Sequence, residues 1–216
     1  MQEIIAAESK LKEAMKTFLW ESASVEYPVE MKDVIDNPSF EQGFEKWQQQ
    51  EMAVQTNTSF ALKSGNTYVE KWVSEGNSVG DASVKQVVAN LPMGVYVLKA
   101  AAQNVQQNSA YPQRNAWIIA NNDRTEVTGS AEYTLVFTNI ENTATIGFEA
   151  KAATGNWLSV DNFRIYYAGG ELADFKKALQ AYIDTAKQYV GKKMQNSVAE
   201  AISLAISNGE AELLKD

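Results

Sequence analysis

The 216-residue sequence contains no cysteine and no histidine. Without cysteine the chain has no disulfide, no thiolate nucleophile and no cysteine metal site, and its redox compartment cannot be read from it. Histidine is the commonest general base and the commonest transition-metal ligand, so its absence excludes Ser-His-Asp triads and ordinary zinc sites.

Basic residues and long apolar runs are also scarce. The chain has 19 Lys and Arg against 27 Asp and Glu, a formal net charge of −8, and no basic stripe. Nucleic acids and anionic membranes are therefore not expected partners. No apolar run approaches the roughly 20 residues of a membrane span, and the opening MQEIIAAESK lacks the basic-then-apolar order of a secretory signal. With 45% hydrophobic residues, we expect a soluble chain with a packed core.

Apolar spacing predicts an amphipathic helix over residues 1 to about 22. Pro28 disfavours helical conformation in the residue before it, so the helix should end before Tyr27. An isolated helix of this length is marginal in water and needs a surface to pack against. The apolar stripe of this helix includes Leu11, Met15 and Phe18.

The pattern of apolar residues in the C-terminal segment predicts a helical hairpin. Apolar residues recur at three or four residue steps from 172 to 190, and Gly191 is the predicted stop. Ser197 and Glu200 have the spacing of a capping box, so a further helix should begin at Ser197, and Gly209 should end it. We predict that the N-terminal helix and this hairpin pack together or against the domain between them. The hairpin's stripe includes Phe175, Leu179 and Ile183.

Short runs rich in β-branched and aromatic residues occupy the middle of the chain, separated by polar and glycine-containing turns. In GVYVLKA both alternating sets of side chains are largely apolar, which predicts a central strand buried between two layers. Several strands without intervening helices favour a sandwich or a barrel. The predicted strands are 83–89, 94–103, 115–121, 132–137, 144–150 and 158–167.

Three segments, IDNPSFEQGFEKW, NLPMGVYVLKAAAQ and GNWLSVDNFRIYY, carry a family resemblance. In this order and separation they resemble galactose-binding-like β-sandwich domains, the non-catalytic modules of large secreted or surface-attached bacterial glycan-handling proteins. The resemblance covers residues 34–168 and implies a mainly β jelly-roll sandwich. Residues 1–33, a helix and linker, and 169–216, a helical segment, resemble small three-helix modules. The resemblance further implies that this sequence is a piece of a longer chain with neighbouring domains. It also implies a location outside the cell, at the cell surface or in the periplasm.

The resemblance also implies a structural calcium ion at the entry to the sandwich. Glu41 and Asp161 match the carboxylate positions, with backbone oxygens around Asn37 as further ligands. Calcium takes six to eight oxygen ligands and needs neither histidine nor cysteine. The alternative is that the Asn37 segment forms a turn and the two carboxylates accept hydrogen bonds without a metal. In either case we expect Phe40 and Trp47 to fill the core beneath.

A sugar ring offers one apolar face and a rim of hydroxyls, so its binding sites combine exposed aromatic rings with planar polar groups. The polar loop 104–115 contains Tyr111 and Arg114, and Trp72 lies in an earlier segment. We predict that these three residues bind a glycan. The alternative is that the tryptophans of this region are core residues, namely Trp72, Trp117 and Trp157.

Three function classes remain open from the sequence. The predicted function is a non-catalytic carbohydrate-binding module that recognises a polysaccharide or glycoprotein. The alternatives are a structural spacer or protein-interaction domain, and a glycosidase, which needs two carboxylates in one groove. The chain contains candidate carboxylates, but the sequence does not show that any two of them face a shared cleft. These candidates are Glu70, Glu75, Asp81, Asp123 and Glu126.

Overall fold

The computed structural model describes residues 2–215, apart from the side chain of Lys16. Strands form the middle of the chain and helices flank them at both ends, so the predicted mainly β class is confirmed. The elements are α1 (Gln2–Glu21), β1 (Val29–Glu30), β2 (Gln48–Gln50), β3 (Ala53–Gln55), β4 (Tyr68–Trp72), β5 (Gly80–Ala89), β6 (Gly94–Val105), β7 (Ala116–Ala120), β8 (Asp123–Glu126), β9 (Ser130–Asn139), β10 (Thr143–Ala153), β11 (Trp157–Tyr167), α2 (Leu172–Lys187) and α3 (Asn196–Leu213).

The strands form two antiparallel sheets that face each other across the core, which confirms the predicted sandwich. Sheet 1 has the strand order β3-β4-β11-β6-β9, and β1 adds to β11 through the pair Val29 and Tyr167. Sheet 2 has the order β2-β5-β10-β7-β8. All six predicted strands are present, and the short strands β1 to β4 and β8 are additional.

Strand β6 is buried on both faces, as its sequence predicts. Leu98 and Ala100 are fully buried in the core between the sheets, whereas Val95, also fully buried, belongs to a separate cluster with residues of α2. The strand lies between β11 and β9 in sheet 1. One of its faces therefore packs against sheet 2, and part of the other lies beneath a helix.

An aromatic cluster closes the sandwich where the chain enters it. The ring centroid of Trp47 lies 4.9 Å from that of Phe40 and 5.0 Å from that of Phe163 on β11. Trp47 donates its indole N–H to the carbonyl oxygens of Asp36 and Asn37, at 3.1 and 3.0 Å. Phe40 and Trp47 are thus core residues, as predicted from the sequence.

Helix α1 ends at Glu21, before Tyr27 as predicted, but its apolar stripe is not buried. Leu11, Met15 and Phe18 are 63%, 56% and 68% exposed, so the prediction that they pack against the rest of the chain is wrong. The end of α1 contacts the sandwich, where the ring centroids of Trp20 and Tyr167 are 6.3 Å apart. None of the described helices is both long enough and apolar enough to cross a membrane.

The C-terminal helices form the predicted hairpin on sheet 1. Ala178 of α2 is 2% exposed and packs with Val95, while Ile183 of α2 is 3% exposed. Helix α3 packs in turn along α2. The contact of the hairpin with the sandwich is therefore confirmed.

Two predicted helix boundaries in this hairpin are wrong. Helix α3 starts at Asn196 with Gln195 as its N-cap, so Ser197 lies inside the first turn and does not cap it. Gly209 does not end α3, which continues to Leu213. A Cβ at Gly209 would lie 2.9 Å from Cδ1 of Ile183, so the glycine permits close packing of the two helices. Contact between the helices outweighs the roughly 1 kcal/mol cost of an internal glycine.

Candidate functional site

A groove with two tryptophans lies at one end of the outer face of sheet 1. Trp72 at the end of β4 is the register partner of Trp157 at the start of β11, and Glu70 is the partner of Ser159. Because side chains alternate along a strand, Glu70 and Trp72 project from the same face of β4. The groove, called here the Trp72 groove, encloses about 310 Å³. Its lining residues are Asn57, Ser59, Glu70, Trp72, Gln107 and Trp157.

The carboxylate of Glu70 is fixed in the floor of this groove. Glu70 is 9% exposed, and its Oε2 accepts hydrogen bonds from the Tyr68 hydroxyl at 2.9 Å and from the Trp157 indole N–H at 2.7 Å. Burial raises the pKa of Tyr68, and the bond to Glu70 adds to the rise, so Tyr68 stays a donor. No hydrogen bond from the described residues reaches Oε1 of Glu70, which remains available as an acceptor.

The ring of Trp72 is held in place although it is 53% exposed. Its indole N–H donates to Oε1 of Gln107 at 2.9 Å. Asn156, which is fully buried, donates its side-chain amide to the same oxygen at 2.9 Å and accepts the Gln107 backbone N–H at 2.7 Å. These hydrogen bonds therefore hold an aromatic face and a side-chain amide at defined positions at this end of the sheet.

Of the three predicted glycan-binding residues, one lines the Trp72 groove. Trp72 lines the groove, whereas Tyr111 and Arg114 do not. Tyr111 is 82% exposed, and Arg114 donates to Oε2 of Glu126 at 3.0 Å. The involvement of Tyr111 and Arg114 in binding stays a prediction.

Sequence reasoning weighed Trp157 only as a core residue and Glu70 only as a catalytic carboxylate. No strand was predicted over residues 68–72, and it is the alternation along β4 that places Glu70 and Trp72 on one face. The partnership with Trp157 required the register of β4 and β11, and the role of Gln107 required the path of the following loop.

Trp117 lies on the outer face of sheet 2, which offers a less suitable aromatic surface. The guanidinium carbon of Arg124 lies 5.4 Å from the centroid of the Trp117 ring, so a cation already occupies one of its faces. Nearby, Lys85 and Glu149 form an ion pair with each other. The polar groups of this surface are largely paired among themselves.

Glu41 and Asp161, the predicted calcium ligands, both hold the segment 64–67. Oε1 of Glu41 accepts the backbone N–H groups of Asn66 and Thr67 at 2.7 and 3.0 Å, and these bonds lower the pKa of Glu41. Oδ2 of Asp161 accepts the backbone N–H of Ser64 at 2.6 Å. The two carboxylates therefore bind neighbouring backbone groups of one segment, and their role as metal ligands stays a prediction.

Asp161 is fully buried, and its other oxygen, Oδ1, has no hydrogen-bond partner in the described structure. Burial raises the pKa of the Asp161 carboxyl to about 7, and the charge of Glu41 adds to the rise. A buried carboxylate with an unpaired oxygen beside a second carboxylate is a setting in which a cation is favourable. Across residues 2–215, however, no three acidic side chains converge on one point.

Asn37 has a structural role at this place. Its side-chain oxygen accepts the backbone N–H of Gln42 at 3.1 Å, and its side-chain amide donates to the Gly43 carbonyl at 2.9 Å. Its own carbonyl accepts the indole N–H of Trp47. These bonds close the turn that the alternative interpretation of the sequence describes.

No family model and no curated protein matches the sequence. Among solved structures, the chain is similar to TmCBM61, solved with β-1,4-galactotriose: 19% identity, 63% of this chain and 99% of that chain covered, TM-score 0.47. It is also similar to the CBM22-1 xylan-binding domain of Paenibacillus barcinonensis Xyn10C (14%; 62% and 93% covered; TM-score 0.41) and to the Stig cyclase Fisc of Fischerella sp. TAU (14%; 67% and 100% covered; TM-score 0.48).

Two of these three structures are carbohydrate-binding modules, and the third is a cyclase. Because one fold hosts unrelated functions, the ligand has to be argued from the surface of this chain.

Proposed function

We propose that this chain is a non-catalytic carbohydrate-binding module and that its glycan binds in the Trp72 groove. The observation that supports this most directly is a half-exposed Trp72 ring beside a fixed carboxylate acceptor, Glu70, and a fixed side-chain amide, Gln107. A tryptophan ring stacks on the apolar face of a sugar, while the polar groups bind hydroxyls at its rim. Their fixed positions reduce the entropy that binding would otherwise cost.

The composition of the groove favours binding over hydrolysis. Glycosidases use two carboxyl groups about 5 to 10 Å apart on either side of the scissile bond. Among the described residues that line the groove, Glu70 is the one carboxylate. Two other candidates are committed elsewhere, since Asp81 pairs with Lys151 and Glu126 pairs with Arg114.

A glycan array of plant, host and microbial glycans, or calorimetry with the same glycans, tests the proposal. A shallow, wet site predicts a binding free energy on the order of 4 to 6 kcal/mol, which multivalent attachment to a polymer would strengthen. We expect Trp72→Ala to weaken binding by about tenfold or more, because it removes the stacking surface. Tyr111→Ala is the matched comparison, since it removes an exposed aromatic ring outside the groove. Loss of binding in Tyr111→Ala alone would move the site to the 104–115 loop.

A structural or protein-interaction role is the second candidate, and it is favoured by one observation. Helix α1 exposes a stripe of large apolar side chains that includes Ile4, Leu11 and Phe18. Such a surface is typical of sites that contact another protein. An array without any bound glycan would favour this function. The extracellular or surface location and the neighbouring domains of a longer chain remain predictions from the resemblance.

We also propose a structural calcium ion held by Glu41 and Asp161. The unpaired Oδ1 of Asp161 supports it, and a bound cation would offset the burial of this charge and its repulsion from Glu41. Two carboxylates provide only part of a calcium coordination sphere, so backbone carbonyls and water would complete it. The ion would join the turn at residues 37–45 to β11 and would have no part in the chemistry of ligand binding.

A further inference from the structure

We propose that Glu70 makes the Trp72 groove selective for neutral glycans and excludes uronic acids and sulfated sugars. This inference rests on the proposed function and adds to it the chemical class of the ligand. It depends on the described residues that line the groove, among which Glu70 is the one acidic group and none is basic, and on the hydrogen-bonding capacity of the others.

The orientation of Glu70 leaves one oxygen for a ligand. The Trp157 indole N–H donates to Oε2 at 2.7 Å, and the Tyr68 hydroxyl lies within hydrogen-bond distance of both Oε2 and Oδ1 of Asn57, at 2.9 and 2.8 Å. These contacts hold Oε2 in place. Oε1, without a partner in the described structure, can accept one or two hydroxyl hydrogens from a sugar. Hydrogen bonds to an ionised acceptor are about twice as strong as neutral ones, so a sugar hydroxyl is a favourable partner here.

No lysine or arginine is among the described residues that line the groove. Lys71, the residue next to Glu70, projects from the other face of β4, where it donates to the Asp81 carbonyl at 2.9 Å. The Arg114 guanidinium is paired with Glu126. A carboxylate or sulfate on the ligand would therefore meet Glu70 without a compensating cation, and because Glu70 is only 9% exposed, its repulsion of a like charge is stronger than between two fully hydrated groups.

The other lining groups suit hydroxyls. The side-chain nitrogen of Gln107 has no partner in the described structure, because the two bonds to its side chain both go to Oε1. It can donate to a sugar oxygen, while Glu70 accepts from a sugar hydroxyl. The hydroxyl of Ser59 can do either. A neutral sugar satisfies both kinds of group, whereas a uronate satisfies only the donors and repels Glu70.

The experiment compares a matched pair of polymers: a neutral β-1,4-linked glycan that the array identifies, and the same polymer with its C6 hydroxymethyl groups oxidised to carboxylates. If the glycan identified by the array has no C6 hydroxymethyl groups, the acidic member of the pair is the same glycan carrying uronic acid substituents. Binding of each is measured by calorimetry at low and at moderate salt, for the unmodified chain and for Glu70→Gln. Glu141→Gln is the charge-matched control, because Glu141 lies in the β9–β10 turn at the opposite end of sheet 1.

We expect the unmodified chain to bind the neutral polymer and to bind the oxidised one at least tenfold more weakly, with the difference shrinking as salt increases. Glu70→Gln should lose about tenfold for the neutral polymer and lose most of the discrimination, since glutamine keeps the shape but not the charge. Glu141→Gln should behave as the unmodified chain. Melting curves of the variants establish that each is folded.

Two results would overturn this inference and leave the proposed function intact: equal or tighter binding of the oxidised polymer that still depends on Trp72, or unchanged discrimination in Glu70→Gln. Absence of any glycan binding in the folded, unmodified chain would instead overturn the proposed function itself. Binding that survives Trp72→Ala would show that the ligand lies outside the groove and would overturn the assignment of Glu70.

Discussion

Helices α1 and α2 both carry the apolar spacing of an amphipathic helix, yet they have different fates in the fold. Helix α2 buries Ala178 and Ile183, at 2% and 3% exposure, whereas α1 leaves Leu11 at 63% and Phe18 at 68%. Spacing therefore shows that a helix has an apolar face but not whether the same chain contains the partner for that face. For α2 the partner is the outer face of β6, which is itself apolar.

The largest expected effect comes from placing a charge in the packed interface of α2. Ala178→Asp puts a carboxylate among Val95 and Ala168 without a partner, and we expect it to lower the free energy of unfolding by about 3 kcal/mol or more. The matched change on α1, Leu11→Asp, should stay within about 0.5 kcal/mol. Urea denaturation of both variants measures the contrast. Equal destabilisation by the two changes would mean that α1 has a partner surface within the folded chain.

The same contrast between packed and exposed regions applies to carboxylates. Glu8 on α1 is well exposed and forms an i,i+4 ion pair with Lys12 at 2.6 Å, whereas Asp161 is fully buried in the sandwich. Its pKa of about 7 lies above the ordinary value of 3.8 expected in the unfolded chain. Between about pH 4 and 7 the folded state therefore binds more protons than the unfolded state. The stability contributed by protonated Asp161 is lost as pH rises through this window.

Without divalent cations, we expect the unmodified chain to lose about 1 to 3 kcal/mol relative to Asp161→Asn between pH 5 and 8. Calcium should offset this loss at pH 8 by binding the ionised form, and it should have no effect on Asp161→Asn. Thermal melts with excess chelator and with millimolar calcium measure both effects. Identical melts under the two conditions would rule out the calcium site, while the pH dependence tests the buried carboxyl separately.

The smallest expected effect is the removal of the exposed part of α1. Deleting residues 1–15 should leave the melting temperature almost unchanged, because Leu11 and Met15 make little buried contact. Deletion through residue 22 should lower it, since Trp20 is lost from its contact with Tyr167 at 6.3 Å. Trp20→Ala in the full chain should reproduce most of that loss, on the order of 1 to 2 kcal/mol. A clear fall in the shorter deletion would show that the first four turns stabilise the fold.

Local patterns in the sequence predicted the parts of the fold that depend on short-range order. The six predicted strands and the end of α1 before Pro28 follow from residue type and spacing within about ten positions. Helix boundaries that depend on tertiary contacts were predicted poorly. Gly209 was predicted to end a helix, but it lies inside α3, where it packs closely against Ile183. The same holds for the candidate site. Trp72 was identified as a binding residue from its residue type, whereas the other residues that line its groove were not.

The sequence alone determined that the chain lacks histidine and cysteine chemistry and that its middle forms strands. Only the tertiary structure decided that residues 68–72 form a strand with Glu70 and Trp72 on one face, that Trp157 and Gln107 join them, and that Tyr111 and Arg114 do not line the same groove. The physical reason is the separation along the sequence of the residues that set each feature. Alternation along a strand is set by neighbouring residues, whereas the register of β4 with β11 brings together positions about 85 residues apart, through a core that forms as a whole.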